Sequence, residues 1–249
     1  MAEPTKTVGA RPAGTNDAES ASAAVREMFN TISPRYDLLN HLLSLNIDRM
    51  WWWRTARRFR QILRRNESEV LDLCCGTGDM AFALYRQTKG SRAEITGADF
   101  AREMLVRAER KGKGIPIKWV EADAMHMPFS DGTFDLVTSA FGFRNLVDYD
   151  AGLREIVRVL RPNGEVGILE CGVPKGRLGQ LYLYYFREVL PRIGTMISGV
   201  NGAYAYLPAS VERFPAPPEM LDRMKAAGFR QVAYTPYTFG IAGLYWGKK

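Results

Sequence analysis

Residues 70–79 constrain the fold of this chain more than any other stretch. Residues 70–73 are apolar enough for a buried strand, and Gly76 and Gly78 predict a turn that leads into a helix. Glycine has no Cβ, so the backbone there can approach a ligand closely, and the free amides of the new helix face the same point. The stretch therefore predicts a ligand cradle at the carboxyl end of the first strand of a doubly wound α/β sheet.

The rest of the chain continues the alternation of strands and helices. Short apolar runs, separated by helical patterns and turn residues, predict a seven-stranded, mostly parallel, Rossmann-like sheet that ends in an antiparallel hairpin. The expected strands lie at residues 70–73, 94–99, 117–123, 134–139, 165–170, 232–234 and 241–246. Helices are expected at residues 153–160 and 217–227, with a turn at residues 161–164.

The chain is expected to form one domain, residues 24–249, after a disordered tail, residues 1–23. Residues 24–65 precede the first strand and are expected to form a helical cap over the ligand site, outside the sheet core. Residues 173–215 are rich in Gly and Tyr and predict a helical insertion that walls an apolar substrate pocket. On the cap, a helix over residues 48–65 is predicted, and its apolar face comprises Met50, Trp53, Ala56, Phe59, Ile62 and Leu63.

Two acids bear on which ligand the cradle holds. Gly76, Gly78 and Ala81 also fit a dinucleotide fingerprint, so the glycines alone leave a nicotinamide cofactor open. Asp72 lies inside the strand, where a carboxylate suits a cationic group such as an ammonium. Asp79 opens the helix, where it would repel a pyrophosphate. S-adenosylmethionine carries an ammonium and a sulfonium but no phosphate, and we favour it as the cofactor.

Two later strands also end in acids beside the glycine turn. Asp99 ends the second strand at the position of a ribose-binding acid. Asp123 ends the predicted third strand, where its carboxylate and the amide of Ala124 can recognise an adenine edge. Phe100 and Met104 lie on the next helix and are placed to pack against that adenine.

Composition narrows the class of protein. The net charge of +7 permits an anionic membrane surface or nucleic acid but requires neither, and no apolar run reaches the roughly 20 residues of a membrane span. Three cysteines favour a reducing compartment, and we expect the cytoplasm, with peripheral contact at the inner face of the membrane. Two histidines and the lack of paired cysteine spacing argue against a metal site.

The Arg-rich helix at residues 48–65 could anchor at a membrane or bind nucleic acid, but a solvated basic face is simpler.

Three segments resemble the ubiquinone/menaquinone biosynthesis C-methyltransferases, a family of class I S-adenosylmethionine-dependent methyltransferases. Residues 36–51 resemble the first family signature, with Leu39 and Asp48 where the family usually has Met and His. Residues 158–170 resemble the second signature, and Phe-Gly-x-Arg-Asn at residues 141–145 also matches. The resemblance runs from residue 24 to the end and implies the class I methyltransferase fold.

The resemblance implies methyl transfer to a ring carbon of a polyprenylated quinol, above all the conversion of demethylmenaquinol to menaquinol. We expect Arg144 to stabilise a phenolate or to orient a water, with Asn145 and Asp148 holding it. Tyr36, on the cap, is expected to contact the ring.

The same resemblance extends the cofactor site. Thr77 and Asp79 are assigned to the methionine part, and Ala140 stands where the family often has a serine that contacts the cofactor, next to Ser139. The full predicted cofactor site comprises Asp72, Gly76, Thr77, Gly78, Asp79, Asp99, Phe100, Met104, Asp123, Ala124, Ser139 and Ala140.

Other functions stay open at this point. A dehydrogenase explains Asp99 but not Asp72, Asp79 or Asp123. A methyltransferase for another small lipophilic acceptor, or a non-catalytic subunit of quinone biosynthesis, shares the same motifs. A nucleic-acid methyltransferase would need a base-flipping motif after the fourth strand, and none is present, so nucleic acid is not expected as a partner. The residues permit a homodimer.

Overall fold

A computed structural model describes residues 9–12, 14–35, 44, 46–174, 179, 188 and 203–249. Within these residues, seven strands form one sheet in the order β3-β2-β1-β4-β5-β7-β6. The strands are β1 (Glu69–Leu73), β2 (Glu94–Asp99), β3 (Ile117–Glu121), β4 (Phe134–Ala140), β5 (Leu160–Cys171), β6 (Gln231–Tyr237) and β7 (Ala242–Lys248). The first five strands are parallel, and β7 is antiparallel to both of its neighbours. The predicted seven-stranded, mostly parallel sheet and its hairpin are confirmed.

Helices connect the strands in the pattern of a doubly wound fold. They are α1 (Ala18–Ile32), α2 (Ile47–Arg58), α3 (Arg60–Leu63), α4 (Asp79–Thr88), α5 (Arg102–Lys111), α6 (Tyr149–Val159), α7 (Ala203–Arg213) and α8 (Pro217–Ala227). The strand order reverses between β1 and β4, which pair with each other in the middle of the sheet. In such sheets the crevice at the carboxyl ends of these two strands is where ligands bind.

The two faces of the sheet bury two separate apolar clusters. Leu71 and Leu73 face a cluster that includes α6 and α8, whereas Val70 faces a cluster that includes α2, α3 and α4. This alternation follows from the two-residue period of a strand, and both faces are covered because parallel sheets need apolar cover on both sides. The core therefore holds the strand ends rigidly at the crevice.

Trp119 of β3 explains two of the glycines near the crevice. A Cβ at Gly97 of β2 would lie 2.4 Å from the indole ring, and a Cβ at Gly78 would lie 2.6 Å from it. Gly78 also has a left-handed φ of +89°, which residues with a Cβ rarely adopt. The shape of the glycine turn is thus set by the packing of the neighbouring strand as well as by any ligand.

Helix α1 begins earlier than predicted. It starts at Ala18, not at residue 24, because Asp17 caps it and forms a reciprocal capping box with Ser20. The backbone amide of Ala10 also donates to the carbonyl of Leu146, 2.7 Å away. The expectation of a disordered tail through residue 23 is therefore wrong for the described residues of this stretch, which are helical or hydrogen-bonded to the body of the protein.

The helix predicted over residues 48–65 is interrupted and rotated. It breaks at Phe59 into α2 and α3, where the Phe59 ring packs so closely against β5 that a Cβ at Gly167 would lie 2.5 Å from it. Trp51 is buried, whereas Met50 and Trp53 are exposed, so the predicted apolar face is wrong over the first turns. These helices also belong to the apolar core on one face of the sheet, which corrects the expectation that they stand apart from it.

Other predicted boundaries shift by a few residues. Strand β3 ends at residue 121 rather than 123, and helix α6 spans residues 149–159 rather than 153–160. The turn predicted at residues 161–164 is a bulge within β5, since Phe134 pairs with Leu160 and Leu136 pairs with Glu165. Helix α8 has its predicted bounds and ends before Gly228. Most of the predicted insertion, residues 175–202, lies outside the described residues apart from residues 179 and 188, and so does Tyr36.

Candidate active site

A cavity of about 470 Å³ opens at the carboxyl ends of the parallel strands. The sheet supplies acids and the glycine turn, whereas α1, α2 and the loop after β4 supply aromatic and apolar side chains. The residues that line the cavity include Phe29, Ile47, Asp48, Trp51, Trp52, Asp72, Gly76, Thr77, Asp79, Asp99, Phe100, Met104, Asp123, Ala124, Ala140, Phe141, Arg144, Asn145, Cys171 and Ile241.

The turn between β1 and α4 adopts the conformation that a close approach requires. Cys74, Gly76 and Gly78 all have positive φ angles, of 54°, 54° and 89°. The amide of Gly76 donates to Oδ2 of Asp99, 2.8 Å away, so the carboxylate at the end of β2 braces the turn. Gly76 therefore lies at the cavity wall with its amide already occupied, whereas Gly78 is not among the lining residues and its Cβ position faces Trp119 and Phe82.

Asp72 is the most unusual group of the site. It is fully buried, and its Oδ1 accepts a hydrogen bond from the Thr138 hydroxyl at 2.8 Å. Its Oδ2 has no hydrogen-bond partner among the described residues. Burial raises the pKa of Asp72 from 3.8 to about 7. A buried oxygen without a partner is costly, and a donor on a bound ligand would satisfy it.

Asp99 is held by backbone amides on both of its oxygens. Besides the bond from Gly76, its Oδ1 accepts from the amide of Ala101 at 2.9 Å. Burial raises the pKa of Asp99 to about 6 despite these bonds. Each carboxylate oxygen can accept a second hydrogen bond, so the carboxylate keeps the capacity to bind a hydroxyl in the cavity.

Lys111 is a residue of the site that the sequence analysis missed. Its Nζ lies 2.7 Å from Oδ1 of Asp79 and donates to the hydroxyl of Thr77, 3.3 Å away. It therefore holds together the two residues predicted to bind the methionine part of the cofactor. A cation at the end of α5 was a weak signal, because helices commonly end in basic residues.

The predicted adenine side also comes together. Phe100, Met104 and Ala124 line the cavity with Asp123, whose Oδ1 accepts from the amide of Met125 at 2.9 Å. Phe29 of α1, in the predicted cap over the ligand site, joins them, although it was not predicted as a site residue. These apolar side chains and one carboxylate match what a flat, weakly polar ring needs.

Ser139 does not lie at the cavity, in contrast to the prediction. Neighbouring residues of a strand point to opposite faces, and in β4 it is Ala140 that lines the cavity while Ser139 is buried in the sheet. The hydroxyl of Ser139 has no hydrogen-bond partner among the described residues. The cofactor contact predicted for Ser139 is therefore corrected, and Ala140 offers only its backbone and methyl group.

Arg144 lies at the cavity wall in a buried ion pair. One of its terminal guanidinium nitrogens is 3.0 Å from Oε2 of Glu170, at the end of β5, and also donates to the carbonyl of Phe141. Its backbone amide donates to Oε1 of the same carboxylate at 3.0 Å. Asn145 also lines the cavity, and its Oδ1 accepts from the hydroxyl of Tyr206 at 3.1 Å.

Asp148 has a different contact from the one predicted. Its Oδ1 accepts from the amide of Ala151 at 2.9 Å, so it is the N-cap of α6, and it does not line the cavity. Glu170, and not Asp148, holds Arg144. The pairing was not visible in the sequence because Arg144 and Glu170 are 26 residues apart on separate elements.

The cap contributes aromatic side chains from α2. Trp51 and Trp52 line the cavity together with the buried Asp48 and with Phe141, whose ring centre is 5.8 Å from that of Trp51. Asp48 is one of the two residues at which the chain departs from the first family signature, and the structure places it at the cavity.

Comparison with known proteins identifies the family. A model of the ubiE/COQ5 methyltransferase family matches residues 16–249. The chain belongs to this family. It is 48% identical over 225 residues to the demethylmenaquinone methyltransferase of Thermus thermophilus, across 89% of this chain and 100% of the relative. It is 45% identical over 231 residues to the ubiquinone/menaquinone biosynthesis C-methyltransferase UbiE of Geobacter sulfurreducens, across 90% and 88%.

Solved structures share the fold at low identity. The cyclase SpnF has a TM-score of 0.67 at 16% identity, across 98% of this chain and 99% of the other. A SAM-dependent methyltransferase of Thermotoga maritima has a TM-score of 0.61 at 16% identity, across 90% and 99%. These likenesses establish the class I methyltransferase fold for this ubiE/COQ5 family member. Within the part of the chain that the structure describes, no helix is both long and apolar enough to cross a membrane.

Proposed function

We propose that this chain transfers the methyl group of S-adenosylmethionine to a ring carbon of a reduced, polyprenylated quinol, with demethylmenaquinol as the favoured acceptor. The observation that carries the proposal is one cavity with two kinds of lining. The carboxylates at the ends of β1 and β2 and in the loop after β3 suit the ammonium group, the ribose hydroxyls and the adenine of the cofactor. Aromatic side chains of α2 and the loop after β4 suit a quinol ring and its tail. The relatives described above carry names from quinone methylation.

The residues at the cradle fit the proposed cofactor. The Oδ2 of Asp72, which has no hydrogen-bond partner among the described residues, would accept a hydrogen bond from the ammonium group of the cofactor. The ammonium would also place a positive charge beside this buried carboxylate. Asp99 would bind the ribose, and Asp123 with Ala124 would bind the adenine. Thr77 and Asp79, which Lys111 holds together, would contact the methionine part.

The chemistry needs little more from the protein than position and a dry environment. When bound, S-adenosylmethionine supplies an electrophilic methyl group on a sulfonium. The reduced ring becomes a carbon nucleophile when a phenolic hydroxyl loses its proton, and Arg144 would stabilise the resulting negative charge. As the ring carbon bonds to the methyl group, the methyl–sulfur bond would break to leave a neutral thioether, and the ring carbon would then lose its hydrogen as a proton. The aromatic lining would exclude water, which favours a reaction in which opposite charges are neutralised. Asn145 would orient the ring, and Tyr36 remains a predicted ring contact. A homodimer and contact with the inner face of a membrane are separate expectations, and methyl transfer to a quinol requires neither of them.

The test is transfer of a labelled methyl group to two chemically reduced acceptors, a demethylnaphthoquinol and a methoxybenzoquinol. The matched controls are the same two compounds in their oxidised forms. Label on the reduced naphthoquinol alone supports the proposal as stated, and label on the benzoquinol changes the favoured acceptor. S-adenosylmethionine that binds without labelling either compound would overturn the proposal in favour of another lipophilic acceptor or a non-catalytic role.

A further inference from the structure

Large apolar side chains are exposed at one edge of the molecule. Among the described residues, Phe239 is 85% exposed, Trp53 46%, Val173 45% and Met50 44%. Phe239 lies at the tip of the β6–β7 hairpin, Val173 follows β5, and Met50 and Trp53 lie on α2. All three segments lie at the edge of the sheet that carries the cavity, because β5 ends there and the hairpin turns there.

Hydrogen bonds join these segments into one surface. The indole nitrogen of Trp51 on α2 donates to the hydroxyl of Thr238 at the hairpin tip, 2.7 Å away. The amide of Gly172, after β5, donates to the carbonyl of Ile241 at 2.9 Å. We call this surface the docking face and define it by Arg49, Met50, Trp53, Arg54, Arg57, Val173 and Phe239.

The backbone of the hairpin tip displays Phe239 instead of burying it. Thr238, Phe239 and Gly240 have φ angles of 45°, 58° and 91°, three left-handed residues in a row. That conformation is unfavourable for residues with a Cβ, and the bond from Trp51 secures it. A strained turn costs free energy, and an exposed phenylalanine ring gains none from burial, so the isolated protein has no benefit from this arrangement. The arrangement therefore points to a partner surface that covers the ring.

The charge of the docking face indicates the nature of that surface. Arg49, Arg54 and Arg57 are exposed on the same side of α2 as Met50 and Trp53. The guanidinium of Arg57 lies over the Trp53 ring at 5.0 Å, and that of Arg54 lies over Tyr237 at 4.2 Å. None of the three arginines forms an ion pair with any residue that the structure describes. A partner with anionic groups around an apolar interior would match both features.

The cavity lies directly behind the docking face. Ile47 and Trp51 of α2, Cys171 at the end of β5, and Ile241 after the hairpin tip all line it. These residues alternate along the chain with those of the docking face, so each segment presents one side chain to the cavity and another to solvent.

We propose that the docking face binds the surface of an anionic lipid bilayer, with Phe239 and Trp53 at the headgroup boundary and the three arginines on lipid phosphates. A lipid-tailed acceptor would then enter the cavity from the bilayer without crossing water. This last step rests on the proposed function, whereas the lipid binding itself does not.

The experiment is sedimentation of the full chain with vesicles of phosphatidylcholine alone and with vesicles that also contain phosphatidylglycerol. We expect binding to the anionic vesicles only, decreasing with salt. Phe239→Ala should weaken binding about tenfold, since it removes one inserted ring. The triple variant Arg49→Gln, Arg54→Gln, Arg57→Gln should weaken it about fivefold per arginine.

The matched control is the triple variant Arg64→Gln, Arg92→Gln, Arg230→Gln. It removes the same charge from exposed arginines beside the amino ends of β1, β2 and β6, and it should bind as the unaltered protein does. Equal loss in both triple variants, equal binding to neutral vesicles, or unchanged binding of Phe239→Ala would overturn the proposal. The proposal would also be overturned if the unaltered protein binds no vesicles but forms a dimer that Phe239→Ala dissociates. A second copy of the chain would then cover the docking face. Methyl transfer to a short-tailed, water-soluble quinol should not change in Phe239→Ala, which separates failure of this proposal from failure of the proposed function.

Discussion

The guanidinium of Arg144 lies 3.0 Å from the carboxylate of Glu170, and neither side chain is more than 8% exposed. The same carboxylate accepts the backbone amides of Arg144 and Cys171. A buried charge is tolerated when an opposite charge lies beside it, and the two amide hydrogen bonds to the carboxylate stabilise this pair further. The pair therefore fixes the loop after β4 to the end of β5 and holds Arg144 at the cavity wall.

We predict that Glu170 positions Arg144 for catalysis. Glu170→Ala should lower the free energy of unfolding by about 3–5 kcal/mol, because it leaves the guanidinium buried without its counter-charge. Glu170→Gln keeps the shape and should fold, but kcat should fall at least about tenfold. The affinity for S-adenosylmethionine, measured by calorimetry, should stay the same, since Glu170 does not line the cavity. A normal kcat in a destabilised Glu170→Gln protein would show that the ion pair is structural only.

Asp72 should make the stability of the ligand-free protein depend on pH. Its pKa is raised from 3.8 to about 7, so the folded protein keeps a proton that the unfolded chain loses in this window. The contribution of the proton on Asp72 to the free energy of unfolding is complete below about pH 4. It is lost as the pH rises through about 7, a change on the order of 4 kcal/mol. Asp99 acts in the same direction, so the comparison must be made against Asp72→Asn.

The measurement is urea unfolding of the unaltered protein and of Asp72→Asn at several pH values between 4 and 8. Asp72→Asn should be the more stable protein at neutral pH, and it should bind S-adenosylmethionine more weakly because the ammonium loses its counter-charge. Identical pH profiles of the two proteins would contradict the raised pKa.

Gly78 should tolerate alanine worse than another left-handed glycine does. Gly78→Ala meets both an unfavourable φ and the ring of Trp119, 2.6 Å from the new Cβ. Gly114 has nearly the same φ, +86°, but nothing lies within 4 Å of its Cβ position. Gly114→Ala should therefore lower the free energy of unfolding only by the cost of the left-handed backbone, about 1–2 kcal/mol. Gly78→Ala should lose about 1–3 kcal/mol more in chemical denaturation. Equal losses would mean that the indole ring moves aside freely.

Asp148 should matter for stability and not for methyl transfer. Asp148→Ala removes the N-cap of α6 and should cost about 1 kcal/mol of unfolding free energy. Asp148→Asn keeps a capping oxygen and serves as the matched control, with little loss. Both variants should retain the kcat of the unaltered protein. A large fall in kcat for Asp148→Asn would restore the catalytic role that the sequence suggested.

The sequence was sufficient where the signal is local. The glycine turn, the acid at the end of β2, the acid after β3 and the ends of helix α8 follow from short patterns, because turns and caps depend on a few neighbouring residues. The mostly parallel sheet and its antiparallel hairpin follow from the alternation of strands and helices. Each of these features can be derived without knowing what packs on it.

The sequence was insufficient where a distant residue decides. Three consecutive tryptophans offer several apolar faces, and the bond between Trp51 and Thr238 selects one of them, 187 residues away. The partners of Arg144 and of Asp79 lie on other elements for the same reason. Ser139 and Ala140 differ by one residue, and only the register of β4 shows which of them faces the cavity.

The most direct test of the account is the position of the transferred methyl group. S-adenosylmethionine with a ¹³C-labelled methyl group is incubated with the protein and a reduced demethylnaphthoquinol, and the product is analysed by NMR. We expect label in a methyl group bonded to a ring carbon, and no label when the acceptor is oxidised. Label in a methoxy group, or none at all while the cofactor is bound, would contradict carbon methylation of a quinol as the function of this chain.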